Sequence, residues 1–163
     1  AVVTVGSLQA GSKSNIIPDR ATLLLNIRAY DMEVREHLLE AIKRMVNAEC
    51  KAAGAPAPAE FELYDSYPLT NNDVETTQKV TDAFMAHFGS DRVCDCGEVS
   101  ASEDFSTIPD AFGIPYTYWG LGGFNEGDPK YPNHNPKFGP VMQPTLATGT
   151  EAILAAVMAW LKK

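Results

Sequence analysis

Hydrophobic and polar positions alternate along two stretches near the start of the chain. Residues 2–8 are rich in β-branched side chains, and residues 21–30 carry apolar side chains at successive alternate positions. Because neighbouring side chains of a strand point to opposite faces, Asn26 and Arg28 share the face opposite the apolar one. The pattern predicts two strands joined by a loop that contains Asn15. The apolar face of the second strand is formed by Leu23, Leu25 and Ile27.

A helical pattern follows the second strand. Apolar positions recur at intervals of three and four residues between Asp31 and Gly54. Asp31 is a suitable N-cap, and Gly54 together with Pro56 predicts the end of the helix. Residues 60–64 alternate again and predict a third strand, so the order of elements is most of a split βαβ sandwich. The apolar positions of the helix are Val34, Leu38, Ala41, Ile42, Met45 and Val46.

The second half of the chain begins with a helix and a strand. Asn72 with Glu75 forms a capping box before a helical pattern that ends at Gly89. Residues 115–121 are apolar and aromatic, which indicates a buried strand. The glycines at its end would allow a close backbone approach, and a Pro- and Asn-rich loop of about 24 residues follows them.

Two further helical segments are predicted towards the C-terminus. A brief helical turn is expected after Ser102, ending before Pro109. Thr148 with Glu151 forms a second capping box, and residues 149–161 are apolar on nearly every side. A helix of this composition has to be covered by neighbouring elements.

Composition and charge narrow the class of protein. The chain has 163 residues, of which 45% are hydrophobic and 21% charged, so it is a folded protein of one domain or two small ones. Its net charge of −8 argues against a nucleic-acid-binding surface, which needs clustered Lys and Arg. No apolar run reaches the roughly 20 residues of a membrane-spanning helix. The chain lacks an initiator Met and begins in a strand-like pattern, so we expect processing or a piece of something longer.

The three cysteines indicate a reducing compartment. The odd number and irregular spacing of Cys50, Cys94 and Cys96 do not form a disulfide framework, so a cytoplasmic location is expected. Cys94 and Cys96 are either half of a metal site or two ordinary thiols on a short strand. No second Cys or His pair lies at zinc-site spacing.

Few residues have the pattern of a catalytic site. The chain has no G-x-S-x-G, no phosphate-binding Gly-rich loop and no H-E-x-x-H motif. His134, in the Pro- and Asn-rich loop, is the convincing candidate for a metal ligand, but one ligand does not make a site. Glu103 and Asp104 are either paired functional acids or first-turn acids that complement a helix dipole.

Anion binding is better supported than metal binding by the residues alone. Arg28 leaves a strand face beside Asn26, and Asn15 lies in a Gly/Ser loop that is expected to return to the same sheet. A guanidinium offers a planar fork of donors to a carboxylate, and an amide adds a directional donor. The alternative is an exposed Arg28 in a surface ion pair.

Three motifs resemble the M20 metallopeptidase family, in the order in which that family has them. Residues 15–28 begin Asn-Ile-Ile-Pro-Asp, end Asn-Ile-Arg and resemble the turn and strand of its lid domain. Residues 102–105, Ser-Glu-Asp-Phe, resemble the E-D-F motif of its amidohydrolase branch. Residues 134–138, His-Asn-Pro-Lys-Phe, resemble the late H-[NS]-P-x-F motif of that branch, which includes hippurate hydrolases and N-acyl-amino-acid hydrolases.

The resemblance implies a mixed α/β (α+β) fold in two parts. Residues 1–70 would belong to a ferredoxin-like βαββαβ lid and dimerisation domain without its first strand and helix. Residues 71–163 would be the C-terminal part of an α/β zinc-peptidase-like catalytic domain. The resemblance also implies a homodimer formed through the lid, and divalent metal ions such as Zn²⁺, Mn²⁺, Co²⁺ or Ni²⁺ in the intact enzyme.

The resemblance further implies which residues face the substrate and the metal. His134 matches the last metal ligand of the family. Asn15 and Arg28 match lid residues that contact the substrate carboxylate, and Gly122 would line the substrate groove. The other metal ligands and the general-base Glu of the family lie in an N-terminal part without a counterpart here, so no catalytic residue is assigned.

The expected function is the C-terminal portion of a metal-dependent amidohydrolase that cleaves N-acyl amino acids such as hippurate. The portion alone is expected to be inactive and to bind no metal stably, and its partner is the N-terminal part of the same protein. The alternative is a self-standing dimerisation or binding module that pairs through an exposed strand edge.

Overall fold

The computed structural model describes residues 1–161, which divide into two compact units. The first unit contains residues 1–69 and 98–104, and the second contains residues 70–97 and 105–161. Strands and helices occur together, which confirms the mixed α/β class. The assignment of residues 1–70 to a lid and of residues 71–163 to a catalytic part stays a prediction. Residues 162 and 163 of the predicted catalytic part lie outside the described range.

The first unit begins with a β-hairpin. β1 (Val2–Ala10) and β2 (Ala21–Arg28) pair antiparallel, with Val2 opposite Arg28. Both predicted strands are confirmed. Within the described residues the sheet has only these two strands, so each of them has an unpaired outer edge.

α1 (Met32–Ala52) follows the hairpin and begins at the predicted cap. One carboxylate oxygen of Asp31 accepts hydrogen bonds from the backbone N–H groups of Glu33 and Val34, at 2.7 and 3.0 Å. Gly54, just beyond the end of the helix, has φ +65°, a left-handed conformation that favours glycine. Both predicted ends of this helix are therefore confirmed.

The third strand expected at 60–64 is wrong. The segment has no regular secondary structure, and within residues 1–161 no strand lies beside it. A strand needs a neighbour to bond its N–H and C=O groups. Alternation of side chains therefore predicts a strand only where a partner strand is available.

The second unit is helical. α2 (Val74–Phe88) is followed by one 3₁₀ turn at Ser90–Arg92, by α3 (Thr107–Phe112) and by α4 (Thr145–Leu161). α2 packs against α4, and most of the few buried side chains of the described chain lie where these two helices meet. The buried apolar residues of the unit are Val80, Ala152 and Ala156.

Asp73 caps α2, so the capping box predicted for Asn72 is wrong. Asp73 Oδ1 accepts a hydrogen bond from the Thr76 N–H at 2.8 Å. The Asn72 side chain turns instead to Tyr118, where Nδ2 donates to the carbonyl at 2.9 Å and Oδ1 accepts from the N–H at 2.7 Å. Asn72 thus satisfies both backbone groups of Tyr118, as a neighbouring strand would.

The strand predicted at 115–121 is also wrong, because it has no partner strand in the described chain. The segment is attached to α2 instead. The Asp73 N–H donates to the Tyr116 carbonyl at 2.9 Å, and the hydroxyls of Thr77 and Thr117 are hydrogen-bonded at 2.9 Å. Groups at the start of α2 therefore supply the hydrogen-bond partners that a neighbouring strand would otherwise provide.

The helical turn expected after Ser102 is wrong, because α3 begins later, at Thr107, and contains Pro109. Pro109 is the third helical residue, where an N–H would have no acceptor within the helix, so the missing donor does not disturb it. Glu103 and Asp104 accordingly lie outside the first turn of any helix, which removes the helix-dipole explanation for them.

α4 is buried along its small residues and exposed along its large ones. It begins at Thr145, so Thr148 and Glu151 lie within the helix and form no capping box. Ala152 and Ala156 are buried, and the expectation that neighbours cover every side is wrong for the described chain. No helix of the described chain is long and apolar enough to span a membrane. The exposed apolar side chains are Leu146, Ile153, Leu154, Val157, Met158, Trp160 and Leu161.

Replacement of Asn72 tests its two bonds to Tyr118. Asn72→Ala removes both bonds, and at about 0.5–1.5 kcal/mol per hydrogen bond the free energy of unfolding should fall by roughly 1–3 kcal/mol. Asn72→Asp keeps the acceptor and loses the donor, so an intermediate loss is expected. Denaturant unfolding and hydrogen exchange at the Tyr118 amide measure both effects. Asn71→Ala is the control, and unchanged exchange at Tyr118 in Asn72→Ala would contradict this role.

Asp73 predicts an acid-dependent stability of α2. Hydrogen bonds from the Thr76 side chain and then the Thr76 N–H lower the pKa of Asp73 from its usual 3.8. The folded state then binds the proton more weakly than the unfolded chain, so the stabilisation is complete above the usual pKa and is lost as pH falls through the lowered one.

Asp73→Asn keeps the cap acceptor without the charge, so it should flatten this acid dependence. Unfolding midpoints measured between roughly pH 2 and pH 5 compare the two proteins. An equally steep loss of stability in Asp73→Asn would assign the effect to other carboxyl groups.

Candidate functional site

Asn15 and Arg28, the two residues expected to bind a carboxylate, lie at opposite ends of the β-hairpin. Asn15 lies in the loop between β1 and β2, whereas Arg28 is the last residue of β2. At about 3.3 Å per residue, the seven steps from Ala21 to Arg28 span about 23 Å. Asn15 and Arg28 therefore belong to opposite ends of β2, and the loop that contains Asn15 returns to the same sheet at Ala21, as expected.

Arg28 is not part of an ion pair in the described chain. Its Nε donates to Asn26 Oδ1 at 3.1 Å, which confirms that the two side chains share a strand face. Its Nη1 donates to the carbonyl of Ser100. Within residues 1–161 no carboxylate forms a salt bridge with Arg28, and the side chain is exposed. The guanidinium therefore keeps donors that an anion from solution can occupy.

Ser100 links Arg28 to the segment that carries the two acids of the E-D-F motif. Residues 98–104 belong to the same unit as the hairpin. Within the segment, the Asp104 N–H donates to Glu103 Oε1 at 3.1 Å. The structure thus places Arg28, Glu103 and Asp104 in one unit, and no chemical step follows for the two acids from this geometry.

His134 lies in the second unit with a backbone conformation that is unusual for a residue other than glycine. Its φ is +68°, in the left-handed region that costs a residue with a Cβ about 1–2 kcal/mol. Turns on both sides fix the loop, because the Asn135 N–H donates to the Pro132 carbonyl and the Phe138 N–H to the Asn135 carbonyl. The imidazole is exposed and forms no hydrogen bond or ion pair within residues 1–161. Strain of this kind collects at functional sites.

The glycines near 120 differ in what surrounds them. A Cβ on Gly122 would have nothing within 4 Å, whereas a Cβ on Gly123 would lie 2.8 Å from the Pro140 Cβ. The Val141 N–H also donates to the Gly123 carbonyl at 2.8 Å. The close backbone approach therefore occurs at Gly123, where the ends of the long loop meet. Gly122 is exposed, and its place in a substrate groove stays a prediction.

The described residues do not form a complete metal site. Within residues 1–161, no group of three or more His, Cys, Asp or Glu side chains is placed to hold a metal ion. His134 fits the role of a single ligand, because its imidazole is exposed and unbonded and the set would be completed by other residues. Cys94 and Cys96 are free thiols that no third donor joins in the described chain.

Sequence reasoning missed two features of these candidates. The contact of Arg28 with Ser100 joins residues 72 positions apart, and no local pattern signals it. The left-handed backbone of His134 did have a signal, because Asn and His are enriched in this conformation and the loop reads Asn-His-Asn.

Comparison with known proteins finds one family of relatives. Residues 2–54 match the M20_dimer model, described as a peptidase dimerisation domain. Thermostable carboxypeptidase 1 of Saccharolobus solfataricus is 35% identical over 139 residues, which are 84% of this chain and 34% of the relative. Hippurate hydrolase of Campylobacter jejuni is 32% identical over 109 residues, which are 64% of this chain and 27% of the relative.

A solved structure shows the same relationship. The crystal structure of the Bacillus subtilis YXEP protein, a dinuclear metal binding peptidase from the M20 family, matches with a TM-score of 0.69 and 28% identity. The match covers 97% of this chain and 42% of the YXEP chain. The chain thus spans about a third of the length of the relatives that it matches.

Proposed function

Since this chain belongs to the M20 peptidase family, we propose that it is part of a metal-dependent amidohydrolase that cleaves N-acyl amino acids such as hippurate. The family is the one that the three sequence motifs resemble, so that prediction is confirmed. The chain spans about a third of the length of its relatives. The proposal therefore places the remaining metal ligands and the general base among residues other than those described.

His134 is the observation that carries this proposal. Its imidazole is exposed and unbonded within the described chain, and the backbone beneath it is held in a strained conformation by the turns of its loop. A ligand fixed in position before the metal binds loses little conformational freedom on binding. Divalent ions such as Zn²⁺, Mn²⁺, Co²⁺ or Ni²⁺ supply an activated water and polarise the amide carbonyl in hydrolases of this kind.

Arg28 is proposed to bind the carboxylate of the substrate. Its guanidinium is exposed, has no acidic partner in the described chain, and is oriented by Asn26 and the Ser100 carbonyl. Bidentate pairing of a guanidinium with a carboxylate favours substrates that carry a free carboxyl group. Asn15 lies at the other end of the hairpin, so we propose for it a separate contact with the substrate, and for Gly122 a position along the substrate groove.

A homodimer formed through the first unit is part of the proposal. The match of residues 2–54 to a peptidase dimerisation domain supports it, and both edges of the hairpin are unpaired within the described chain. The free state of Cys50, Cys94 and Cys96 is the reason for proposing a cytoplasmic location.

The unpaired edges also favour the second candidate, a self-standing module that pairs through a strand edge. The gene sequence upstream of Ala1 distinguishes the two candidates. A reading frame that continues upstream and encodes His, Asp and Glu ligands supports the hydrolase, and a start codon immediately before Ala1 supports the module.

Arg28 predicts a selective loss of affinity for carboxylate substrates. In the intact hydrolase, Arg28→Ala should raise KM for hippurate by roughly 10- to 100-fold, because a hydrogen bond to a charged group contributes about 1.5–3 kcal/mol. The value of kcat should change much less, since the carboxylate lies away from the cleaved bond. Steady-state kinetics with hippurate measure both constants.

Matched controls separate charge recognition from misfolding. Arg20→Ala removes an exposed arginine of the β1–β2 loop and should leave KM unchanged. Hippuramide, which lacks the carboxylate, should be cleaved equally by the wild-type enzyme and Arg28→Ala. An equal rise of KM for hippurate and hippuramide would overturn the assignment of Arg28.

The incomplete ligand set predicts that the chain alone has no hydrolase activity. Because residues 1–161 contain no complete ligand set, incubation of the 163-residue chain with hippurate and Zn²⁺, Mn²⁺, Co²⁺ or Ni²⁺ should release no glycine. Chromatography of the products measures this. Metal-dependent release of glycine that His134→Ala abolishes would contradict the need for further ligands.

A further inference from the structure

Two thiols lie one residue apart in a segment that the proposed function does not use. Cys94 and Cys96 follow the 3₁₀ turn at Ser90–Arg92, and both are free and exposed. Cys96 Sγ makes a weak contact with the Gly97 carbonyl at 3.8 Å. Neither side chain is therefore needed for packing, and both sulfurs are accessible to small reagents.

The backbone between these thiols is free to bend. Within residues 1–161, the N–H and C=O groups of residues 94–96 form no backbone–backbone hydrogen bond. Asp95 Oδ1 accepts from the Gly97 N–H at 2.8 Å, and Gly97 has φ +64°, so the chain turns directly after Cys96. Successive Cα atoms are about 3.8 Å apart, and a disulfide needs a Cα separation of about 4.4–6.8 Å. A bend at Asp95 brings the Cα atoms of Cys94 and Cys96 into that range without breaking a backbone hydrogen bond of a sheet or a helix.

We propose that Cys94 and Cys96 form a redox-sensitive dithiol that hydrogen peroxide oxidises to an intrachain disulfide. One sulfur attacks a peroxide oxygen, so that an S–O bond forms, the O–O bond breaks and water leaves. The second sulfur then attacks the first, the S–S bond forms, the S–O bond breaks and a second water leaves. The two thiols lose two electrons and two protons, and hydrogen peroxide is reduced to two waters.

The position of the dithiol gives the oxidation a structural consequence. The chain leaves the second unit at Gly97 and enters the first at Glu98, two residues after Cys96. A disulfide between alternate residues removes backbone freedom from this connection. An exposed disulfide in so small a ring is also the kind that dithiol reductants reopen. The inference stands independently of the proposed function, because it uses neither Arg28 nor His134.

Peptide mass spectrometry of the oxidised chain tests the proposal. The reduced chain is treated with one equivalent of hydrogen peroxide and then alkylated with N-ethylmaleimide. The peptide that contains Cys94 and Cys96 is expected to carry no alkyl group and to have lost two hydrogen atoms, while Cys50 is alkylated. Dithiothreitol should restore both alkylation sites, and the share of intrachain over interchain disulfide should not fall when the protein is diluted, because the closing step is intramolecular.

Single replacements provide the controls. Cys50→Ser removes the half-buried thiol of α1 and should form the same disulfide at the same rate. Cys94→Ser and Cys96→Ser should each stop at a sulfenic acid that dimedone traps, and circular dichroism shows whether their fold is unchanged. Alkylation of both thiols after peroxide treatment, a disulfide that includes Cys50, or covalent dimers as the main product would each overturn the proposal.

Discussion

The pairing of the Asn72 side chain with the backbone of Tyr118 is the interaction on which the second unit depends. An extended segment without a strand neighbour leaves its N–H and C=O groups without partners, and this amide supplies both partners at one residue. Residues 115–121 are thereby held along α2. The same attachment sets Trp119 edge-on against Phe84, with ring centroids 5.4 Å apart, so an aromatic contact fastens the far end of the segment.

The position of His134, the candidate metal ligand, depends on the attachment of residues 115–121 to α2. The attached segment runs into Gly123, whose carbonyl accepts from the Val141 N–H and closes the long loop. The rings of Phe124 and Phe138, edge-to-face at 5.7 Å, join the two sides of that loop. With its ends closed and its turns bonded, the loop can hold His134 at a positive φ, which an isolated segment would relax.

α1 and the hairpin were predicted from the sequence because their causes lie within a few residues of one another. α1 depends on the cap of Asp31 and on a helical period, and the hairpin depends on two neighbouring strands, so all of these were predicted correctly. The predicted strands at 60–64 and 115–121 failed because pairing is a property of two segments, and alternation describes one. The candidate site shows the same difference between local and distant contacts. Asn26 and Arg28 are close in sequence, and their shared strand face was predicted. Arg28 and Ser100 are 72 positions apart, and their contact was not predicted.

The orientation of α4 shows where a periodic pattern stops being informative. A helical period places small and large residues on different faces, but it does not say which face meets the neighbouring elements. Gly149 lies on the covered face here, because a Cβ at that position would lie 3.0 Å from the Leu121 Cδ2. Ala152 and Ala156 follow Gly149 at helical spacing and are the buried residues of α4, whereas its large apolar side chains are exposed. The Trp160 ring still contacts α2, because the Lys79 ammonium lies 4.6 Å from its centroid. The small residues thus form the closely packed face of α4, and the large ones form its exposed apolar face.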